Sequence, residues 1–205
     1  MSRRNYSRQS MESKELLSDL VSISGLPSVG KGILIRTLRS RHASARPMVR
    51  YIGADDVMAH YARTQSHKGE LVREAFAREA WYRCNFDLET MGQLNCNWIA
   101  AQMAHIFAPK GFHVKLNRSM GLRLQEMGLQ GVDISESQLR MEDEGLAAAF
   151  EERFPGCSWS EGDFDLVVNM DEYPGYAVNV VADIVVSKYL EWQRQNTWKM
   201  SFYAA

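Results

Sequence analysis

The chain lacks the features that would place it in a membrane or in a secretory pathway. None of its apolar runs approaches the ~20 residues that a membrane-spanning helix needs, and no apolar stretch follows the basic N-terminus as in a signal peptide. Charge of one sign is not in excess either, because the formal net charge is -1. This balance calls for no nucleic-acid or membrane partner, and we expect a cytoplasmic protein that has neither.

Cysteine is scarce, with three residues in a chain of 205. Cys84, Cys96 and Cys157 are widely spaced and form no Cys-x-x-Cys pair, which argues against a disulfide framework or a structural zinc site. The histidines show no metal-binding spacing, and the Gly-x-Ser-x-Gly elbow of a serine hydrolase is missing. We therefore predict no metal-ligand set among the side chains and three ordinary, partly buried thiols.

What the sequence does contain is an alternation of short β-branched runs and longer amphipathic segments. Strand-like runs lie at residues 20–24, 48–53, 112–116 and 165–169. Helical patterns cover about 33–39, 55–80, 97–107, 118–154 and 176–195. This alternation predicts an α/β fold with a parallel sheet and helices on both of its faces.

The length is typical of one well-buried core. We predict a flexible tail over residues 1–12, a single domain over 13–197 and a C-terminal tail over 198–205. The C-terminal tail contains Trp198 and Phe202, which is apolar for a tail. We expect it to dock on the body of the protein or on a second copy of the chain, as in a homodimer.

A glycine-rich segment between the first strand and the first helix carries the strongest functional signal. Residues 25–31, GLPSVGK, match Gly-x-x-x-x-Gly-Lys, the first seven positions of the phosphate-binding loop pattern. Such a loop curls its N–H groups toward an anion, and the following helix adds its positive dipole. Lys31 would add a mobile charge for the β- and γ-phosphates. The predicted nucleotide site consists of Gly25, Ser28, Val29, Gly30, Lys31, Gly32 and Ile33; the alternative is a simple glycine turn.

The residues after Lys31 depart from this pattern. The usual Ser or Thr, whose hydroxyl reaches Mg²⁺, is replaced by Gly32, and Ile33 follows it. Neither side chain can coordinate a metal. Ser28, inside the loop, is the candidate replacement.

Because this loop has Gly32 directly after its lysine, the chain resembles the cytidylate kinase-like branch of the nucleoside monophosphate kinases. That family often has Gly-Lys-Gly in the loop, but its usual threonine in the next position is Ile33 here. The resemblance covers most of residues 20–190. Residues 52–56 are similar to the start of the family's monophosphate-binding region, 140–143 to its lid helix, and 165–169 to its last strand.

This resemblance implies a P-loop kinase fold with a small helical lid over roughly residues 118–154. It also implies transfer of the γ-phosphoryl group of ATP to a nucleoside monophosphate, CMP or dCMP above all, with Mg²⁺. Catalysis would depend on positioning and on charge neutralisation. The matching catalytic residues are Lys31, Arg118, Arg123, Arg140 and Asp143. The residues bordering the acceptor would be Asp55, Asp56 and Arg63.

Two departures from the family pattern leave other functions open. Asn95–Asn97 stands where the family has an acidic-Gly-Arg signature after its third strand, and Leu146 replaces a lid arginine. The alternative is a catalytically impaired pseudokinase that acts as a nucleotide sensor or interaction module. A third hypothesis keeps catalysis but changes the acceptor to another small hydroxyl compound. Asp55–Asp56 is equally consistent with a helix N-cap, and Arg63 with a solvated surface residue.

Overall fold

A five-stranded parallel sheet forms the centre of the protein. The computed structural model describes residues 20–45, 49–53, 97–107, 111–153, 155–156 and 159–203. The strands are β1 (Val21–Ser24), β2 (Arg50–Gly53), β3 (Asn97–Ala100), β4 (Phe112–Asn117) and β5 (Leu166–Asn169). Their order is β2-β3-β1-β4-β5, and each neighbouring pair is parallel. The glycine-rich loop thus starts from the carboxyl end of the central strand.

Four α-helices accompany this sheet in the described residues. They are α1 (Lys31–His42), α2 (Met120–Leu129), α3 (Glu136–Arg153) and α4 (Val178–Tyr203). Helices α1 and α4 contact each other and pack on the sheet. Leu34 and Leu38 of α1 and Val181 and Val185 of α4 are fully buried in the same apolar cluster. Their spacing of four residues puts each pair on one helix face.

The strands present different chemistry on their two faces. Val21 and Ile23 of β1 point into the apolar cluster covered by α1 and α4, whereas Ser22 and Ser24 point to the opposite face. All four side chains are completely buried. One face of the central strand is therefore an ordinary hydrophobic core, and the other is polar and needs hydrogen-bond partners.

Helices α2 and α3 lie in the segment predicted as a lid. The helical prediction for residues 118–154 is confirmed for Met120–Leu129 and Glu136–Arg153, whereas 118–119 and 130–135 are not helical and 154 lies outside the described residues. Helix α3 begins with a capping box: the Gln138 amide donates to Ser135 Oγ at 3.3 Å, and the Ser135 amide donates to Gln138 Oε1 at 2.9 Å. The two helices contact each other, and most of α3 is solvent-exposed apart from buried Leu139.

The prediction of a helix over residues 97–107 is wrong. This segment forms β3 and, from Ala104 to Phe107, a single turn of 3₁₀-helix. The buried run Trp98–Ala100 is too short for its periodicity to distinguish a strand from a helix. Pairing decides the outcome, because β3 lies between β1 and β2 and bonds to both.

The other strand predictions are confirmed as β1, β2, β4 and β5, and the helix predicted at 33–39 is α1. The helix predicted at 176–195 begins at Val178 and continues to Tyr203, so much of the predicted C-terminal tail is helical. The predicted tail over 1–12 and the helix over 55–80 lie outside the described residues. No described helix combines the length and apolarity needed to cross a membrane.

Candidate functional site

The loop over residues 25–30 has a backbone that only particular residues allow. A Cβ atom on Gly25 would lie 2.7 Å from Val29 Cγ2 and 2.8 Å from the carbonyl oxygen of Leu116 on β4. The second contact is with backbone and cannot be relieved by a rotamer change. Val29 is buried and anchors the middle of the loop in the core. Gly25 is therefore required by its close approach to β4.

Gly30 ends the loop and serves as the N-cap of α1. Its φ of 105° lies in a region that residues with a Cβ rarely adopt, and an added Cβ would meet Met170 Cε at 3.3 Å. The Leu34 amide donates to the Gly30 carbonyl at 3.0 Å, which starts the helix. Gly30 has no side chain to cap the N–H groups of the first helical turn, and this turn contains no acidic residue. These amides therefore suit an anion.

Lys31 lies across the loop. Its Nζ donates to the carbonyl oxygens of Gly25 at 2.8 Å and Leu26 at 2.6 Å, and the residue is half-buried. The ammonium is thus already beside the loop that is predicted to hold phosphates. Reaching a phosphate requires it to exchange these carbonyl oxygens for phosphate oxygens, which are stronger, charged acceptors.

The predicted loop residues after Lys31 offer no metal ligand. Gly32 has no side chain, and Ile33 is apolar and 45% exposed. Ser28 is half-buried and has a φ of 61°, the one positive φ of a non-glycine residue among the described residues. The described residues also contain no group of three or more His, Cys, Asp or Glu side chains arranged to hold a metal.

A groove of about 760 Å³ lies at the carboxyl ends of β4 and β5. The polar residues that line it are Asn117, Arg118, Ser119, Glu161, Asn169, Glu172 and Tyr173. No residue of the loop lines this groove. Met170, which directly follows Asn169, connects the two regions, because a Cβ added at Gly30 would lie 3.3 Å from its Cε. The two segments that form the groove are tied together, since the Ser119 amide donates to both carboxylate oxygens of Asp171 at 3.0 and 3.2 Å.

Arg118 is the cation of this groove. Its side chain is 19% exposed, and a guanidinium nitrogen lies 3.7 Å from Glu126 Oε2. Its Nε is buried and has no hydrogen-bond partner among the described residues. An arginine with one distant carboxylate and an unsatisfied donor retains bonding capacity for a ligand.

Arg123 and Asp143 are joined in a buried ion pair between α2 and α3. The Arg123 guanidinium donates to both carboxylate oxygens at 2.6 and 2.7 Å, and the Arg123 side chain is 2% exposed. Arg123 Nε also donates to the carbonyl oxygen of Pro27, within the glycine-rich loop, at 2.9 Å. The structure thus brings two of the predicted catalytic residues together and connects them to the loop.

Arg140, by contrast, is 62% exposed and pairs with Glu136 one turn earlier on α3 at 3.0 Å. The structure does not bring it to the ion pair formed by Arg123. The predicted acceptor residues Asp55, Asp56 and Arg63 lie outside the described residues. The segment after the third strand is Ala101–Met103, since β3 ends at Ala100. The alignment of the acidic-Gly-Arg signature with Asn95–Asn97 is therefore wrong, and Ala101–Met103 does not carry the signature either.

The polar face beneath the loop was not recognised from the sequence. Ser24 Oγ lies 3.0 Å from Nδ1 of His105 and accepts the His105 amide at 3.1 Å. Ser22 Oγ lies 2.8 Å from Nδ1 of His113. The signal for this face is the alternation Val-Ser-Ile-Ser in β1 and Phe-His-Val-Lys-Leu in β4, in which polar residues occupy every second position of a buried strand.

Lys115 and His113 complete this face. The ammonium of buried Lys115 donates to the carbonyl oxygen of Trp159 at 2.8 Å and lies over the Trp159 and Phe164 rings at 5.5 and 5.6 Å. Burial lowers the pKa of His113 below its ordinary value, and the charge of Asp165 acts in the opposite direction. These groups fill the face with protein contacts and support β1 directly before the loop.

Several solved structures share this architecture, whereas no family model and no curated protein matches the chain by sequence. Shikimate kinase from Acinetobacter baumannii, in complex with shikimate, is 15% identical with a TM-score of 0.54, over 84% of this chain and 93% of that one. Shikimate kinase from Bacteroides thetaiotaomicron is 18% identical with a TM-score of 0.52, over 84% and 98%. An uncharacterized protein from Eubacterium ventriosum is 10% identical with a TM-score of 0.52, over 82% and 96%.

At such identities the likeness concerns the fold. The parallel sheet, the loop that follows its central strand and the helix that starts at Lys31 confirm the predicted fold class. This chain has the α/β fold of the P-loop kinases.

Proposed function

We propose that this chain is an ATP-dependent phosphotransferase that acts on a small hydroxyl-bearing acceptor. The observation that carries the proposal is the loop over residues 25–32. It combines a backbone that excludes a Cβ at Gly25, uncapped amides at the start of α1, and an ammonium beside them. The uncapped amides and the ammonium favour a phosphate chain, and a simple glycine turn requires neither of them.

The loop amides and Lys31 would hold the phosphates of ATP. The amides of the first turn of α1 supply a fixed positive field. The Lys31 ammonium would leave the carbonyl oxygens of Gly25 and Leu26 and follow the charge of the transferring group. Such interactions accelerate phosphoryl transfer when they are stronger in the transition state than in the ground state.

The groove beside the loop would take the base and ribose. Its volume of about 760 Å³ is within the ordinary range for small-molecule sites. Asn117 and Asn169 offer amide donors and acceptors, and Arg118 offers a planar cation that can stack on a base. This assignment is supported by Met170, which follows Asn169 of the groove and whose Cε would lie 3.3 Å from a Cβ added at Gly30 of the loop.

Magnesium fits the described residues less well than ATP does. Mg²⁺ is bound by one or two protein oxygens together with phosphates and waters, and neither Gly32 nor Ile33 supplies an oxygen. Ser28 keeps its place as the candidate ligand.

Two classes of acceptor are compatible with the proposed phosphotransferase, and we call them the cytidylate branch and the hydroxy-acid branch. The resemblance to cytidylate kinases favours CMP or dCMP, bordered by Asp55, Asp56 and Arg63. The structural likeness to a shikimate kinase that binds shikimate favours a small hydroxy acid. Both acceptors present a nucleophilic oxygen to the γ-phosphoryl group, so the same loop serves either reaction. Among the predicted catalytic residues, Arg118 would supply positive charge to the transferring group, and Asp143 would hold Arg123 against the loop.

A nucleotide sensor without turnover is the second candidate. The observation that favours it is the Arg123–Asp143 pair, whose bidentate bonds and bond to Pro27 occupy all three guanidinium nitrogens. An arginine held in this way contributes no free charge to a transition state. Arg140, which is exposed and paired with Glu136, also lies away from that pair.

An ADP-release assay with ATP and Mg²⁺ distinguishes these candidates when it is combined with calorimetric titration of ATP. The acceptors are CMP, dCMP, UMP, AMP, GMP and shikimate. Turnover on CMP or dCMP supports the cytidylate branch, and turnover on shikimate alone supports the hydroxy-acid branch. Binding of ATP without turnover on any acceptor supports the sensor.

The Lys31→Ala variant tests the site itself. We expect it to weaken ATP binding and lower any turnover by at least about a hundredfold, because a charge-assisted contact to the transferring phosphoryl group is lost. Its unfolding midpoint should change little, since Lys31 is half-buried and the carbonyl oxygens of Gly25 and Leu26 that it binds belong to the loop. Lys188→Ala, which removes an exposed lysine paired with Glu191 on α4, is the matched control. Wild-type ATP affinity in Lys31→Ala would contradict both candidates.

A further inference from the structure

The loop contains one strained residue, and it lies directly after the carbonyl that Arg123 binds. Ser28 has a φ of 61°, a left-handed conformation that costs free energy for a residue with a Cβ. The peptide group between Pro27 and Ser28 is trans, as are all described peptide bonds. The carbonyl oxygen of Pro27 and the N–H of Ser28 therefore point in opposite directions. A bond that holds the direction of the carbonyl group therefore also sets the direction of the N–H group.

Arg123 is held firmly enough to fix that carbonyl. Its side chain is 2% exposed, and its two terminal nitrogens are bound by both oxygens of Asp143. Bidentate pairing restrains the plane of the guanidinium, and Nε then meets Pro27 at 2.9 Å. Arg123 comes from α2 and Asp143 from α3. The conformation of the loop is thus connected to the packing of both lid helices.

We propose that Arg123 is a positioning residue for the phosphate-binding loop. By holding the Pro27 carbonyl it turns the Ser28 N–H toward the phosphates and offsets the strain at Ser28, while Asp143 holds Arg123 in place. This inference rests on the proposed nucleotide site. It differs from a lid arginine that contacts the phosphates itself, because here Arg123 acts through the loop backbone.

The first test compares ATP affinity in variants of the pair, measured by calorimetry on the full chain. Arg123→Gln should weaken ATP binding about tenfold to a hundredfold, on the scale of a lost charge-assisted bond. Asp143→Asn should also weaken it, because Arg123 stays but is no longer held. An arginine that contacts phosphates directly would bind them equally well or better after release from Asp143. Unchanged or tighter binding in Asp143→Asn would therefore overturn the proposal.

A second-site change separates positioning from a general loss of structure. Glycine adopts a positive φ without strain. In titrations without Mg²⁺, for which Ser28 is the candidate ligand, Ser28→Gly should therefore recover most of the affinity that Arg123→Gln loses. A merely structural defect would not be corrected at Ser28. Failure of Ser28→Gly to recover any affinity in a folded Arg123→Gln protein would overturn the proposal. If Arg123→Gln does not fold, the same rescue is measured on Asp143→Asn.

Arg41→Gln is the matched control. Like Arg123, Arg41 pairs with an aspartate on another helix, because its guanidinium donates to the Asp183 carboxylate at 2.9 Å. It also donates to a backbone carbonyl oxygen, that of Asn179, at 3.2 Å. It lies at the end of α1 far from the loop, so ATP affinity should stay within about twofold of wild type, and a larger loss would overturn the proposal. If no acceptor supports turnover, the phosphotransferase proposal is contradicted, but the ATP affinities of the variants still test the role of Arg123. Absence of ATP binding by the wild-type chain would overturn both.

Discussion

The two faces of the central sheet are stabilised by different interactions. The face under α1 and α4 buries Val21, Ile23 and Leu38 in a continuous apolar cluster. The opposite face buries Ser24 and Lys115 and satisfies them with His105 and a carbonyl oxygen. Apolar burial is non-directional, so it does not depend on one particular neighbour. Buried polar groups, by contrast, need particular hydrogen-bond partners. The first face therefore gives the fold its stability, and the second fixes where β1 ends and the loop begins.

The largest loss of stability is expected from a substitution on the apolar face. Leu38→Ala removes a completely buried side chain of α1 and should lower the free energy of unfolding by about 2–5 kcal/mol, from lost transfer energy and a residual cavity. Urea unfolding measures it. Val180→Ala, at a position of α4 that is 50% exposed, should change stability by less than about 0.5 kcal/mol. Equal effects of the two changes would contradict the assignment of the core.

A substitution on the polar face is expected to cause an intermediate loss of stability. Ser24→Ala removes the acceptor of the His105 amide and the partner of its ring, and leaves them buried. We expect a loss of about 1–3 kcal/mol, the cost of unsatisfied buried groups. Ser40→Ala, which removes an exposed hydroxyl bonded within α1, is the control. A loss at Ser24 no greater than at Ser40 would show that the polar face contributes nothing specific.

The smallest effect concerns the pH dependence of the polar face. Burial lowers the pKa of His113 below its ordinary 6.5, so the folded state favours the neutral ring. The unfolded state then binds more protons, and stability is retained above pH 6.5 and falls as the pH drops toward the folded-state pKa. Urea midpoints of wild type and His113→Gln between pH 8 and 5.5 should converge as the pH falls. A difference independent of pH would contradict a neutral, buried His113.

The loop could be predicted from local patterns because its motif lies within seven consecutive residues. The positive φ of Gly30 and the charge of Lys31 at the start of α1 belong to this local pattern. The close approach of Gly25 to Leu116 on β4 is a tertiary contact that the pattern does not reveal. The segment from Trp98 to Ala100 was assigned to a helix because its state depends on pairing with β1 and β2, strands distant in the sequence. Short buried runs carry no period of their own.

The candidate site was predictable only in part, for the same reason. Arg123 and Asp143 were predicted as catalytic residues from the family resemblance, but the bond between them joins two helices across 20 positions. No sequence spacing indicates that Arg123 also reaches Pro27, 96 positions away. The groove is likewise formed by the ends of β4 and β5, which meet only in the sheet. Tertiary contacts of this kind follow from topology.

The position of Lys31 has a consequence for which ligands the loop can select. Because its ammonium bonds to the carbonyl oxygens of Gly25 and Leu26, every ligand competes with the loop's own backbone for that charge. A single weakly charged phosphate gains little from such an exchange, whereas a triphosphate presents a dense array of charged oxygens that outcompetes neutral carbonyls. On the proposed function, the loop would therefore discriminate among nucleotides by the number of their phosphates, independently of the base.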